Sequence, residues 1–184
     1  MTHPVSTTQL ITNMQDARNR TLELVHDLEE EQLVGPKLRT VNPLKWEIAH
    51  AAYFYEFFIL RMLYGYDSVI GRKADELYDS IKVNHDVRWD LPLPNMKDTL
   101  AYMQAVFDRL AEHLDQTQNH GMASEQDSFI YQFGIFHEDM HTEAFLWARQ
   151  TLAYRTPNLA LAADVSTERK AGGYPGWAEV PGGK

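Results

Sequence analysis

Two histidines four residues apart, His137 and His141 in HEDMH, are the strongest chemical signal in this sequence. On a helix, side chains at that spacing leave the same face one turn apart, so both rings can reach one metal ion. Neutral imidazole suits iron, zinc, copper and nickel alike. Phe133, Phe136, Phe145 and Trp147 flank the pair, and buried imidazoles need partners for their ring nitrogens. Two core histidines satisfied by neighbouring side chains are the alternative. HEDMH also fits H-E-x-x-H of zinc proteases, with the glutamate as general base. That reading needs a further ligand downstream, where the nearest glutamates are Glu143 and then Glu168 and no histidine follows His141.

A third ligand must then lie upstream, and His50 in PLKWEIAHAAYFYEFF is the candidate. By itself it reads as a satisfied core residue; beside HEDMH on another helix it reads as a ligand. Three imidazoles from two helices leave coordination positions open. The layout is that of facial non-haem iron sites with histidine replacing the carboxylate. Three neutral ligands leave the ion's charge uncompensated, which favours anionic substrates. Glu47 and Glu138 each stand near a histidine; each is either a carboxylate that orients an imidazole or an exposed helix residue.

Four helices are expected to position these groups. Leu10, Met14, Ala17, Thr21, Leu24 and Leu28 form one stripe from about Ser6 to Glu30, before Gly35-Pro36 breaks the pattern. Asn42 as N-cap and Pro43 as first residue open a second, aromatic-rich helix that ends at Gly65. A third runs from Asn95 to Leu114, with Met96, Leu100, Met103, Phe107, Leu110 and Leu114 inward. The fourth runs from Ser124 to Tyr154, with Phe129, Phe133, Phe136, Met140, Trp147 and Leu152 on or near its buried side and Pro157 beyond its end. Residues 66–95 form a long crossover expected to carry short helical turns.

Composition narrows the function. A net charge of -9 repels phosphate backbones, so nucleic acid is not the expected partner. The absence of cysteine excludes disulfides and thiolate chemistry and fits a reducing cytoplasm. The most apolar stretch, Ile48 to Leu63, contains His50, Glu56 and Arg61 and is too short and polar for a membrane span.

NPLKWEIAHAAYFYEFFILR and FGIFHEDMHTEAFLW together resemble the DinB-like N-terminal domain of the sulfoxide synthases of ergothioneine biosynthesis, the hercynine oxygenases. The resemblance covers most of residues 6–155. It implies an all-α, DinB-like four-helix bundle over residues 1–155, with one long crossover and an irregular tail. It implies iron(II), with nickel or zinc readily taken up in a purified sample. The family's iron-binding histidines fall on His50, His137 and His141, and its substrate-carboxylate arginine falls on Arg88 in RWDLPLPN. The family joins a cysteine-derived thiol to a trimethylated histidine, a betaine, using oxygen. Met140 departs from the family, which has a polar residue before the last histidine. Residues 156–184, ending in GGYPGWAEVPGGK, read as a linker and the opening of a truncated formylglycine-generating-enzyme-like domain. A one-bundle, metal-dependent thiol transferase or hydrolase is an alternative function. A non-enzymatic binding module is another, and a homodimer through exposed apolar helix faces is open to any of these.

Overall fold

Ser6, Asn95 and Ser124 each offer a side-chain oxygen to the backbone N–H three residues on, at 3.1, 2.9 and 3.0 Å, and each opens a long helix. The computed structural model describes residues 4–160, 176, 177 and 179. The expected linker and domain opening at 156–184 lie mostly outside the described residues. Helix α1 spans Thr7–Glu23, and a short α2 spans Glu30–Val34. Helix α3 (Leu44–Tyr55) continues into a π-helical segment, Glu56–Leu63. A short α4 (Lys73–Tyr78) and a 3-10 turn (His85–Val87) lie in the crossover, followed by α5 (Met96–Thr117) and α6 (Glu125–Thr151). No β-strand and no helix long and apolar enough to cross a membrane occurs among the described residues. The four long elements form the expected all-α bundle: α3 packs against α5 and α6, and α1 against α6.

Leu10, Met14, Ala17 and Thr21 of α1 are buried, as are Met103, Leu110 and Leu114 of α5, in line with their periodicity, whereas Leu100, expected inward on α5, is 38% exposed. The fourth helix corrects the sequence reading. Phe129, Phe133, Phe136, Met140 and Trp147 lie on its outer side, each about half exposed or more. The inward face is Tyr131, Gly134, Ile135, Glu138, Phe145 and Ala148, together with Asp127 and Arg149. Charges are tolerated there because each is paired. Arg18 donates to Glu138 at 2.8 Å. Arg149 forks onto Asp27 at 2.8 and 2.9 Å and takes the Leu24 carbonyl at 2.7 Å. Asp127 accepts from Tyr64 and Ser124.

That Arg149 fork explains why α1 stops at Glu23 rather than Glu30. It holds the turn after Leu24, and the Glu29 N–H, bonded to Gln32 Oε1 at 3.0 Å, starts α2. Asn42 is not an N-cap; its Oδ1 accepts from Arg88 at 2.7 Å and Pro43 takes the cap position. Helix α6 ends at Thr151, ahead of Tyr154. Ala153 turns to φ 54°, and Tyr154 bonds back to the Arg149 carbonyl and, through its hydroxyl, to the Gln32 carbonyl.

The crossover is tied down by polar contacts. Glu56 is fully buried and accepts from Ser68, Val69 and Tyr102. Asp75 of α4 accepts from Tyr53 at 3.1 Å and from both terminal nitrogens of Arg61. The Leu77 carbonyl accepts from the Trp46 indole at 2.6 Å.

Two outcomes follow from this packing. A Cβ at Gly134 would lie 2.4 Å from the Tyr55 ring. Gly134→Val is therefore expected to lose about 2 kcal/mol or more, which thermal or urea unfolding reads directly; unchanged stability would contradict the α3–α6 contact. Arg61, bonded to Asp75, holds that carboxyl at about 2, below its ordinary 3.8. A carboxyl depressed in the folded state stabilises fully above its unfolded value and loses the contribution as pH falls through the folded one. The stability gap between wild type and Asp75→Asn is thus expected to be full at pH 7 and to shrink by roughly half near pH 3. Urea titrations showing a gap unchanged at pH 3 would refute the pairing.

Candidate metal centre

Helix α3 delivers His50 and α6 delivers His137 and His141 to one place. The three rings offer nitrogens that all lie within 4.8 Å of one another. Ring centroids are 5.5 Å apart for His50 and His137, 5.0 Å for His50 and His141, and 4.6 Å for His137 and His141. His50 and His141 are buried, and His137 is partly so. The i, i+4 spacing on α6 sets the shortest separation, and the close α3–α6 packing brings in the third ring.

Two flat neighbours hold the rings in place. Trp46, one turn before His50, stacks on it at 4.7 Å with planes 9° apart. Phe54 stacks on His137 at 3.7 Å and 15°. Aromatic walls of this kind limit ring rotation and lower the local dielectric. Burial, and then neighbouring His141, pushes the His50 imidazole down to about 4. Burial, and then His141 and His50, pushes His137 down to about 3. Both rings are therefore neutral at neutral pH, the form that donates to a metal.

Hydrogen bonds fix which nitrogen is free on two of the rings. A backbone carbonyl only accepts, so His50 Nδ1 donates to the Tyr78 carbonyl at 2.8 Å and its Nε2 keeps the lone pair. A carboxylate likewise accepts from His141 Nδ1, which lies 2.8 Å from Glu47 Oε1. His141 Nε2 and His137 Nδ1 are buried without a protein partner. Buried nitrogens left open on converging imidazoles are what a metal site needs, so the donor set fits iron(II), nickel or zinc.

Of the two candidate carboxylates, Glu47 is thus the one that bonds a histidine. Glu138 does not: it turns inward to Arg18 and Thr21. Arg88 lies away from the solvent, its guanidinium 3.8 Å from the Trp46 ring centre. Its terminal nitrogens bond Asn42 and the Val83 carbonyl at 2.7 and 3.3 Å, and its Nε is buried without a partner. A cavity of about 210 Å³ opens beside the histidines, walled by Tyr53, Phe54, Phe57 and Phe58, with Asp79 at one side.

Sequence reasoning missed the Tyr78 carbonyl, because a backbone group 28 residues from His50 leaves no pattern in side-chain types. It also passed over His113, which is buried, with its ring centre 3.9 Å from that of Tyr64 and its Nε2 3.7 Å from Asp127. No local spacing marks that contact, since Tyr64 and Asp127 lie far from His113 along the chain.

Comparison with known proteins agrees with this architecture. The chain is 30% identical over 156 residues to a hercynine oxygenase of Mycobacterium tuberculosis, covering 84% of this chain and 35% of that protein. It is 28% identical over 144 residues to a hercynine oxygenase of Mycolicibacterium thermoresistibile, covering 76% and 30%. A third, from Mycolicibacterium smegmatis, is 29% identical over 138 residues, covering 72% and 30%. The chain therefore spans about a third of the length of the curated relatives it matches. The sequence pattern of the DinB superfamily matches residues 13–145, from the middle of α1 to the far side of the histidine pair, and the chain belongs to that superfamily.

Proposed function

We propose that this bundle is the metal-binding part of a non-haem iron(II), oxygen-dependent enzyme of the hercynine oxygenase type. The observation that carries the reading is the convergence of His50, His137 and His141 on a common point with ring nitrogens left open. His50, His137 and His141 would hold the ion, their ligand atoms lying within 4.8 Å of one another. The similarity to three hercynine oxygenases supports the choice of chemistry within the superfamily.

In this reading the ion, when bound, supplies redox chemistry with oxygen and a positive site for a thiol. The chain's own residues do the rest. Phe54 and Trp46 hold two of the ligand rings and keep water from their faces. The aromatic cavity beside His50 and His137 receives the apolar part of a small substrate, a cysteine-derived thiol or a trimethylated histidine betaine. Arg88 is the candidate for a substrate carboxylate, its Nε–H being unspent within the protein. Residues 1–155 form the metal-binding bundle, and 156–184 lead toward a second unit that completes the substrate pocket. The reading locates the protein in the cytoplasm, where the thiol substrate stays reduced, and leaves homodimer formation compatible with the fold.

Anaerobically purified protein loaded with iron(II) is expected to hold one ion per chain. His50→Ala, His137→Ala and His141→Ala are each expected to weaken retention at least tenfold, read by elemental analysis after gel filtration. A folded wild-type chain that holds no divalent metal at micromolar concentration would end the proposal.

A further inference from the structure

The three histidines are not equivalent. His50 leans on a neutral carbonyl, that of Tyr78, and His137 Nδ1 has no protein partner. His141 alone is backed by a formal negative charge, the Glu47 carboxylate. We infer that Glu47 is the positioning residue of the metal centre, fixing the tautomer and donor strength of His141. The inference rests on the metal reading of the site.

Glu47 lies one turn ahead of His50 on α3, yet its carboxylate reaches across to α6 rather than along its own helix. Both partners are almost out of the solvent: Glu47 is 3% exposed and His141 8%. Water competes for a hydrogen bond at the surface; this one is shielded from it. The carboxylate can only accept, so the hydrogen stays on Nδ1 and the lone pair stays on Nε2. That Nε2 is itself buried and unpaired. The bond therefore aims the free lone pair inward, towards the nitrogens of the other two rings. It also makes His141 the most basic donor of the three, since an outer carboxylate raises the electron density on an imidazole ligand.

The electrostatic consequence is equally direct. Three neutral imidazoles give a divalent ion no compensating charge, and Glu47 supplies one negative charge beyond the first ring of ligands. Because Glu47 and His50 share a helix, the Glu47–His141 bond also clamps the two ligand-bearing helices together at the site. A purely structural bond would hold the helices but would not set the ring's tautomer-dependent affinity for a metal.

The test compares wild type, Glu47→Gln, Glu47→Ala and, as a control for loss of another buried carboxylate, Glu56→Gln. Cobalt(II) affinity is read by absorbance titration, and the ring tautomer of His141 by nitrogen-15 NMR of the metal-free protein. Glu47→Ala is expected to weaken cobalt(II) about 10- to 100-fold and to leave His141 a tautomer mixture. Glu47→Gln keeps an acceptor oxygen without the charge, so it should retain the tautomer and bind with intermediate affinity. Glu56→Gln should bind as wild type does. If Glu47→Ala fails to fold, Glu47→Gln carries the comparison. Equal cobalt(II) affinity in wild type and both Glu47 variants overturns the inference while the metal reading stands. A wild type that binds no cobalt(II) removes the metal reading and the inference with it.

Discussion

Imidazoles withdrawn from water have to recover what solvation gave their ring nitrogens, and this bundle buries His50 and His141 and covers His137 in part. Burial by α3 and α6 disfavours protonation of His50 and His137, and neighbouring His141 adds to the effect on both. The arrangement persists because the second nitrogens of His50 and His141 are pinned from outside the triad, to Tyr78 and Glu47. Most of the remaining architecture around the site serves that pinning.

The crossover illustrates the point. Residues 66–95 first read as a connection between two bundle helices, but α4 within it presents the Tyr78 carbonyl to His50. Its own seat is secured by Asp75, which collects Tyr53 and Arg61 from the aromatic helix, and by the Trp46 indole on the Leu77 carbonyl. Trp46 then stacks on His50, and the Arg88 guanidinium lies over the indole, 3.8 Å from its ring centre. A chain of contacts thus runs from Arg88 and Asn42 through Trp46 to His50. The switch from α- to π-helical winding at Glu56 lies immediately beyond, where a buried carboxylate gathers donors from the start of the crossover and from α5. Wider winding of this kind is found mostly as short insertions near functional sites.

Much of this was legible in the residues. The ligand trio was readable because HEDMH has helical spacing and His50 stands in the middle of an aromatic helix; the caps Ser6, Asn95 and Ser124 were readable from local chemistry. Glu47 and Glu138 could not be told apart, since the choice depends on which helix each faces, and Arg18 of α1 claims one of them. The inner face of α6 was misread for a physical reason. Phe129, Phe133, Phe136, Met140 and Trp147 make the more apolar stripe, yet the buried stripe carries Asp127, Glu138 and Arg149. Hydrophobic periodicity scores side chains singly, and burial here is decided by partners elsewhere in the chain, Tyr64, Arg18 and Asp27. The Tyr78 carbonyl was invisible for the related reason that backbone acceptors have no sequence signature.

The chain matches its hercynine oxygenase relatives over about a third of their length, and within that third it carries three candidate metal ligands with their supporting bonds. What the account claims most centrally is that one ion is held by three imidazoles from two helices. X-ray absorption on the iron(II)-loaded protein measures this directly. The account predicts imidazole multiple-scattering that fits three rings with metal–nitrogen distances of about 2.1 Å. A spectrum that fits one imidazole or none, in folded protein with stoichiometric metal, would contradict it.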